Sequence, residues 1–323
     1  MAARPSTLDS DWRPAAPAPR RRFAMPVPSR DEVRAGIFYM LASVFVFSLV
    51  NALIKWEAAR YALDEVVFFR CVFSLVPAFA LIAGGGGARL LRTGRLREHV
   101  VRGILQFVSM LCIFGAFAMM PLADAVAITF SAPLFLTILS IPLLGEQVGP
   151  HRWAAVLAGF AGVLLMVRAG GGFSGGIAST GALLALASAA IGANVTIAVR
   201  RMTLTEPSAT LVAYQALVAT ALSTALLPFA WTTPAWQDLL LMAATGLLAG
   251  IGQFWWTQAF RFAPAAVAAP FSYLTMVWSL GLGYLIWGDV PSWMLVGGAV
   301  IVAASGLYIL YRETLRRTPR AAG

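Results

Sequence analysis

The chain has 323 residues, of which 59% are hydrophobic and only 12% are charged. Since a soluble domain carries roughly a quarter of its residues as charged side chains, this composition excludes a protein whose whole surface faces water. The net charge of +10 could favour a nucleic-acid partner. However, the basic residues lie in short gaps between apolar runs and in the two tails, where they form no basic face, so we expect no nucleic acid to bind.

The segment 1–34 holds six Pro and seven Arg and has no apolar core. A secretory signal would place about 7–15 apolar residues after a positive start, and this segment does not. Its composition predicts a disordered cytoplasmic tail over positions 1–34.

Ten apolar runs follow the tail, and they predict an all-α integral membrane fold with ten transmembrane helices. A hydrocarbon core of about 30 Å requires about 20 helical residues for each crossing. The fifth run is shorter than this and is expected to extend into its flanks. The runs are Ala35–Trp56, Val66–Ala83, Gly103–Met120, Leu122–Leu144, Trp153–Val167, Ile177–Val199, Ala209–Trp231, Leu239–Phe260, Ala263–Trp287 and Trp293–Tyr311.

The distribution of arginine between the short loops predicts the orientation of the chain. With the N-terminus inside, twenty basic residues fall in inside segments, and only Arg60 and Arg168 fall outside. Cytoplasmic loops carry the excess of Arg and Lys. We therefore expect a multi-pass protein of a bacterial-type inner membrane with both termini in the cytoplasm, where residues 312–323 form a basic tail.

The two halves of the chain align with each other in two registers. The early register, which pairs position i with position i+145, places Lys55 on Arg200 and Arg70 on Gln215. The later register pairs position i with position i+143. It matches Gly103 with Gly246, Pro121 with Pro264, Ala125 with Ala268, and Gly145-Glu146 with Gly288-Asp289.

We therefore predict two five-helix repeats, over residues 35–168 and 177–311, joined by a linker at 169–176. Because each repeat has an odd number of spans, the two repeats insert with opposite orientations. Inverted repeats of this kind are common in secondary transporters, whose substrate site lies near the midplane between the repeats.

Several short motifs recur along the spans. In the first half they are Phe68-Phe69-Arg70, Pro121-Leu122-Ala123-Asp124-Ala125, Ser131-Ala132-Pro133-Leu134-Phe135, Leu144-Gly145-Glu146, Arg152-Trp153 and Gly159-Phe160-Ala161-Gly162-Val163, and a looser copy runs in the second half from Ala263-Pro264-Ala265-Ala266-Val267-Ala268-Ala269-Pro270 to Gly288-Asp289. With these motifs the chain resembles the EamA branch of the drug/metabolite transporter superfamily over roughly residues 35–313. The resemblance implies a transporter of a small organic metabolite that is amino-acid-like, nucleotide-like as S-adenosylmethionine is, or riboflavin-like.

Lys55, Arg70 and Asp124 lie within predicted spans, where a charge is costly and usually pairs or faces a wet cavity. One interpretation is that Lys55 extends outward while Arg70 pairs with Asp124 and locks two helices together. A second is that Arg70 and Asp124 form a periplasmic gate. A third is that Arg70 receives a carboxylate of the substrate.

A set of polar and aromatic residues deep in the spans predicts the lining of a substrate site. Such sites are mostly apolar with a few placed polar groups. Ordinary hydrogen bonding between helices is the alternative for each residue. The predicted lining residues are Asn51, Arg70, Gln106, Phe130, Ser131, Asn194, Gln253, Trp256, Ser272 and Tyr273.

Proline and glycine predict local features of four spans. Pro133 and Pro270 remove backbone donors and are expected to break or kink the fourth and ninth spans. Gly246 and Gly250 form a GxxxG pair, and Gly159 and Gly162 are similarly close in sequence. Small residues at this spacing favour close helix packing.

Enzyme chemistry, metals and cofactors have little support in the sequence. His99 and His151 stand apart from carboxylates at metal-binding spacing, and Cys71 and Cys112 fall inside apolar runs. No phosphate-binding Gly-rich loop with a Lys is present, so we predict a secondary transporter that does not hydrolyse ATP, works by alternating access and needs no cofactor. An integral-membrane enzyme and a non-transporting membrane protein are the alternatives.

The energy source and the assembly stay open at this point. Small multidrug antiporters, a related group, use a buried carboxylate on their first helix, and the first span here has none. Asp124 is the only acidic residue that lies within a predicted span, so it is the one candidate for proton coupling there. The sequence therefore leaves proton coupling, exchange and facilitated diffusion open as modes of transport. It also leaves open whether the protein is a monomer or a homodimer.

Overall fold

The computed structural model describes residues 29–144, 150–169, 177–203, 205–227, 231–263 and 269–317. Within these ranges the chain is helical and contains no β-strand. The α-helices are α1 (Arg30–Glu57), α2 (Leu63–Gly85), α3 (Leu96–Met119), α4 (Leu122–Thr129), α5 (Ala132–Leu144), α6 (Pro150–Ala169), α7 (Ile177–Met202), α8 (Ser208–Leu226), α9 (Trp236–Phe262), α10 (Leu274–Trp287) and α11 (Trp293–Arg317), and 3₁₀ turns lie at Gly87–Leu91 and Ala269–Tyr273.

These helices match the ten predicted apolar runs in order, with α4 and α5 together corresponding to the fourth run. In the described residues, seven helical segments of at least 18 residues are apolar enough to cross a membrane. Three shorter apolar helices, Trp153–Ala169, Phe271–Trp287 and Trp293–Ile309, account for the remaining runs. The protein is therefore an all-helical, multi-pass membrane protein. The fifth run extends into its flanks, as expected, because α6 covers Pro150–Ala169.

The helices begin and end at places that differ from the prediction in two regions. Residues 30–34, expected in the disordered tail, form the first turn of α1. A capping box explains the start, since Ser29 and Glu32 each accept a hydrogen bond from the other's backbone N–H, an arrangement that satisfies two free donors of the first turn. At the other end, α11 continues to Arg317, into the segment expected to be a tail.

The fourth run is interrupted between α4 and α5 at Phe130 and Ser131. The interruption falls directly before Pro133, where the sequence predicts a break, because proline donates no backbone hydrogen bond. Ser131 stabilises the turn by donating its hydroxyl to the carbonyl of Ile128 at 2.8 Å. Pro270 lies in the 3₁₀ turn that precedes α10. Residues 264–268 before that turn, which include Pro264, lie outside the described residues, and so does Glu146.

The helices of the two halves interleave. Helix α1 packs against α9, α3 packs against α7, and α2 contacts both α8 and α9. Helices α6 and α11 pack against each other. A central space remains where α1, α2 and α3 face α7, α8 and α9.

Glycines bring these helices into close contact, as the sequence predicts. A Cβ atom added at Gly246 of α9 would lie 2.5 Å from the Cβ of Phe73 and 2.8 Å from the carbonyl oxygen of Arg70, both on α2. A Cβ at Gly250 would meet the ring of Pro77. On the other side of the molecule, a Cβ at Gly162 would lie 2.8 Å from the carbonyl oxygen of Gly298. The α2–α9 and α6–α11 contacts therefore depend on having glycine, which has no side chain, at these positions.

We predict that Gly246→Ala lowers the free energy of unfolding by about 1–3 kcal/mol, since an added methyl group in a filled contact forces neighbouring atoms apart. The matched control is Gly297→Ala, because Gly297 is also helical but a Cβ there has no neighbour within 4 Å. Alanine has the higher helix propensity, so the control should be neutral or stabilising. The measurement is thermal or denaturant unfolding of purified protein in detergent. Equal losses in both variants would contradict the close contact.

Candidate functional site

A cavity of about 420 Å³ lies between the two halves. Its wall comes from α1, α2, α3, α7, α8 and α9, together with residues beside the α4–α5 interruption and near the start of α10, and α6 and α11 contribute nothing to it. Gln106 lies ten residues after the first residue of α3, which places it about 15 Å along that helix. The cavity is therefore close to the middle of the helical bundle, at the depth of the hydrocarbon core of a bilayer.

Among the described residues, most of the cavity wall is apolar, with ten uncharged polar residues and one charged residue. Apolar contacts come from residues such as Phe47, Phe107 and Phe114. Arg70 is the charged residue among those that line the cavity. The uncharged polar residues of the wall are Ser74, Gln106, Ser109, Thr129, Ser188, Thr196, Gln215, Gln253, Ser272 and Thr275.

Five of the predicted lining residues line this cavity, and five do not. The five at the wall are Arg70, Gln106, Gln253, Trp256 and Ser272. The other five make contacts elsewhere. Asn194 donates to the carbonyl of Ala190 at 3.1 Å, and Ser131 donates within its own turn. Phe130 and Tyr273 stack on each other with ring centroids 5.0 Å apart, and Asn51 is half-buried and does not line the cavity.

Arg70 does not pair with Asp124 in this structure, so the predicted helix lock between them is not formed, while the gate that the sequence suggests for the two residues stays a prediction. Its Nη1 lies 2.9 Å from the sulfur of Met110, and its guanidinium carbon lies 5.3 Å from the ring centroid of Phe114. Asp124 interacts electrostatically with Lys55 and Asp289 instead. The two residues belong to different regions because Asp124 begins its helix while Arg70 lies well inside its own.

The sequence predicts that Lys55 extends outward, but Lys55 has partners within the bundle. Its Nζ lies 3.5 Å from a carboxylate oxygen of Asp289, donates to the carbonyl of Met120 at 3.2 Å and lies 4.9 Å from the ring centroid of Trp287. This ammonium therefore joins α1 to the end of α10 and the start of α4. It does not extend freely to the surface.

A polar cluster lies at one face of the bundle, where α1 leads into α2. We call Arg60, Tyr61 and Asp238 the Asp238 cluster. The hydroxyl of Tyr61 donates to Asp238 at 2.6 Å, and Arg60 lies 3.5 Å from the same carboxylate. Below it, the hydroxyl of Thr245 donates to buried Glu57 at 2.7 Å. These contacts tie the end of α1 to α9.

A second polar cluster lies at the opposite face, where α2 leads into α3. We call Thr93, His99 and Glu206 the Glu206 cluster. The Nε2 of His99 lies 2.5 Å from one oxygen of Glu206, and Thr93 donates its hydroxyl to the other. The buried guanidinium of Arg102 donates to the carbonyl of Leu211 at 2.6 Å and to the Gln215 side chain at 3.2 Å. The connection after α7 is therefore tied to the start of α3.

The ionisation of Glu206 follows from these contacts. Burial alone would raise its pKa, but hydrogen bonds from Thr93 and His99, with the nearby positive charge of Arg95, together lower the pKa of Glu206 below its usual 4.5. The charged carboxylate is thus the form that the cluster favours.

Glu57 and Gln215 are the main polar residues that the sequence interpretation misses. The sequence places Glu57 just past the end of the first span, yet it is the last residue of α1 and is 2% exposed. Gln215 carries a signal, since it aligns with Arg70 in the repeat. The small hydroxyl residues of the wall, such as Ser109 bonded to Ser188 at 3.0 Å, carry none, because serine is equally common at helix contacts.

The cysteines and histidines form no metal site in the described ranges, where no group of three metal-binding side chains comes together. Cys71 is buried at the cavity wall, and Cys112 is half-buried on α3.

Comparison with known proteins identifies the family of this chain. The sequence pattern of the EamA-like transporter family matches residues 34–168 and 179–311. The pseudopaline exporter CntI of Pseudomonas aeruginosa is 29% identical over 276 residues, covering 85% of this chain and 95% of that protein. The S-adenosylmethionine uptake transporter of Rickettsia prowazekii is 30% identical over 280 residues, covering 86% and 93%. The riboflavin transporter of Rhizobium johnstonii is 28% identical over 298 residues, covering 91% and 96%.

A solved crystal structure has the same fold, with a TM-score of 0.63 and 22% identity over 88% of this chain and 99% of that one. Fold and cavity together define a multi-pass membrane protein of the drug/metabolite transporter type. The chain belongs to the EamA-like transporter family. The relatives named above are transporters of small molecules and not enzymes.

We predict that Glu206→Gln lowers thermal stability at neutral pH and that the difference from the wild type disappears in acid. A carboxylate whose pKa is lowered by folding stabilises the protein above its unfolded-state pKa, and this contribution is lost as the pH falls through the folded-state value. The difference in melting temperature should therefore be constant down to about pH 5 and shrink below about pH 4.5.

The control is Glu98→Gln, because Glu98 lies beside His99 in the first turn of α3 but its side chain is 55% exposed and pairs with Arg95. Unfolding is followed by tryptophan fluorescence at a series of pH values. A difference that persists unchanged at the lowest pH would contradict the paired carboxylate.

Proposed function

We propose that this protein is a secondary transporter that moves a small organic metabolite across a bacterial-type inner membrane by alternating access. The central cavity between the two halves is the observation that carries the proposal, since its lining of apolar residues with a few polar groups suits a small molecule. The family membership and the transport functions of the relatives support it. S-adenosylmethionine, riboflavin and amino-acid-like compounds are the substrates that we place first.

We further propose that the two halves are inverted repeats, each with five spans. Exchanging the halves exchanges α1 with α7, α2 with α8 and α3 with α9. Under this exchange the α1–α9 contact becomes the α7–α3 contact, and α2–α9 becomes α8–α3, and all four contacts are present. The α2–α8 and α6–α11 contacts map onto themselves. Such a pattern is expected of a pseudo-twofold axis in the membrane plane.

Individual residues repeat the pattern. Gly246 packs against Phe73, and Gly103 packs against Val218, where a Cβ would lie 2.7 Å from a methyl group of that valine. The later register of the repeat relates the two glycines, and the early register relates Phe73 to Val218. The same close contact therefore occurs twice, once toward each face.

The two polar clusters are our proposed gates, and they too occupy equivalent positions. The Asp238 cluster joins the connection after α1 to the start of α9, and the Glu206 cluster joins the connection after α7 to the start of α3. The early register relates Tyr61 to Glu206, and the later register relates Arg95, which interacts electrostatically with Glu206, to Asp238. In alternating access one cluster opens while the other stays closed, and the cavity faces the open side.

The arginine distribution supports the orientation that we propose. With both termini in the cytoplasm, the Asp238 cluster closes the periplasmic side and the Glu206 cluster closes the cytoplasmic side. The charge-poor connection near Arg60 then faces out, and the arginine-rich connection that contains Arg89, Arg92 and Arg95 faces in, as the positive-inside rule expects.

We predict that purified protein in proteoliposomes takes up at least one of S-adenosylmethionine, riboflavin or an aromatic amino acid without ATP and without changing it chemically. Asp238→Asn and Glu206→Gln should each slow this uptake, because each weakens one gate and leaves the other favoured closed. Radiolabelled flux measures the rate, and Asp31→Asn is the control, since Asp31 is exposed and pairs only with Arg34 on the same turn. Absence of flux for all these compounds would count against the proposal.

The same two variants should shift the cavity in opposite directions. In a background with Cys71→Ala and Cys112→Ala, the cavity residue Ala219→Cys reports accessibility to a membrane-impermeant maleimide. Weakening a gate by about 1.4 kcal/mol changes the ratio of open states about tenfold. Asp238→Asn should therefore speed labelling from the periplasm, and Glu206→Gln should speed labelling from the cytoplasm. The same change from both sides in both variants would contradict alternating gates.

A further inference from the structure

The cavity contains a cation without a matching anion. Arg70 is the charged residue of the wall, and it makes no ion pair within 4.0 Å in the described part of the chain. The salt bridges found there lie at one or other of the two faces. A lone charge at this depth is costly in a membrane protein and commonly marks a path or a site for a charged ligand.

The contacts that Arg70 does make leave most of its hydrogen-bonding capacity unused. Its Nη1 donates to the thioether of Met110, which is a weak acceptor. Its Nε is buried and has no partner, and the thiol of Cys71 adds only another weak contact. The ring of Phe114 lies 5.3 Å away and attracts the cation without accepting its N–H groups in a planar pair. The side chain is therefore half-buried at the cavity wall, with a buried Nε that has no partner and with Nη1 held only by a weak acceptor.

Glu57 is the carboxylate that senses Arg70 electrostatically, but it does not neutralise it directly. One oxygen of Glu57 accepts the hydroxyl of Thr245 at 2.7 Å, and the other is buried without a partner. The carboxylate is thus held against α9, beyond ion-pair distance. An anion that entered the cavity could reach the guanidinium without displacing a bound residue.

The position of Arg70 is fixed by the helix contact described above. Its backbone carbonyl would lie 2.8 Å from a Cβ at Gly246, so α9 packs directly against this part of α2. The side chain crosses toward α3, where it meets Met110 and Phe114 one turn apart. Gln106 lies one turn before Met110 on the same face of that helix and also lines the cavity. An amide group is therefore available beside the cation.

We propose that Arg70 binds the carboxylate of an organic anion and that the rest of the molecule lies against the apolar and aromatic wall. Guanidinium and carboxylate form paired, parallel hydrogen bonds of the kind that the free Arg70 donors can supply. Gln253 and Trp256, which lie three residues apart on α9, offer an amide and an indole ring for the other end. This inference rests on the proposed function and names its substrate class, namely small carboxylates with an aromatic or otherwise apolar body.

The test uses pairs of compounds that differ in charge and little in shape: indole-3-acetate with indole-3-acetamide, benzoate with benzamide, and N-acetyl-L-tryptophan with its amide. Binding to purified full-length protein is measured by thermal stabilisation and by Trp fluorescence titration. At least one acid should bind about tenfold or more tightly than its amide, since a hydrogen bond to a charged group contributes that much. Arg70→Gln should remove this preference, and Arg70→Lys should retain part of it.

Two further variants separate binding from structural effects. Arg34→Gln is the control, since Arg34 lies far from the cavity on the first turn of α1 with its side chain 80% exposed. Glu57→Gln keeps an acceptor for Thr245 but removes the internal negative charge. It should strengthen binding of the acids, because the negative charge of Glu57 then no longer offsets the attraction of Arg70 for a bound carboxylate. If Arg70 were only the structural partner of Glu57, Glu57→Gln would destabilise the protein and leave acid and amide binding alike.

The outcomes separate this inference from the proposed function. Equal binding of acid and amide, or an acid preference that survives in Arg70→Gln, would overturn the anion site. Binding of none of the acids would overturn it as well. Uptake of riboflavin or another compound in proteoliposomes would still support the transporter in each of these cases, and an absence of all uptake would count against both.

Discussion

Inside a lipid-embedded helical bundle, a charged or hydrogen-bonding group must be satisfied by another protein group or face water in a cavity. This chain meets the requirement in two ways. At the two faces, charges and hydroxyls pair with partners from the opposite half, as Tyr61 does with Asp238 and His99 with Glu206. Within the cavity, the guanidinium of Arg70 has no ion-pair partner among the described residues. The proposed gates and the proposed anion site both follow from this division between paired and unpaired polar groups.

The repeated contacts give this division a mechanical consequence. Helices α2 and α9 meet through Gly246, and α8 and α3 meet through Gly103, so each half presents one glycine-backed contact to the other. Packed helix contacts of this kind transmit small displacements because they cannot be compressed. Two halves with equivalent contacts can exchange conformations, and the state open to one side is then the counterpart of the state open to the other. Helices α6 and α11 pack against each other and against α4, and they do not line the cavity in the described residues.

Much of this architecture can be predicted from the sequence, whereas the wall of the cavity largely cannot. Long apolar runs specify helices wherever lipid is the solvent, and Pro133 and Gly246 mark an interruption and a close contact through local backbone chemistry. The rotation of each helix about its axis is harder, because lipid and protein interior are equally apolar and leave little amphipathic pattern to follow. For this reason the sequence assigns Asn51 and Asn194 to the cavity although they face elsewhere, and it does not match Lys55 with Asp289, which is distant in sequence.

The most direct test of the account is to determine on which side of the membrane each connection between helices lies. Single cysteines replace Ser29, Ala59, Gly94, Arg168, Thr205 and Pro234 in a background without Cys71 and Cys112, and a membrane-impermeant maleimide is applied to intact and to permeabilised cells. The account predicts labelling of positions 59, 168 and 234 in intact cells, and of positions 29, 94 and 205 only after permeabilisation. Labelling of Ser29→Cys and Arg168→Cys from the same side would show that the two halves are not antiparallel and would contradict the shared cavity between inverted repeats.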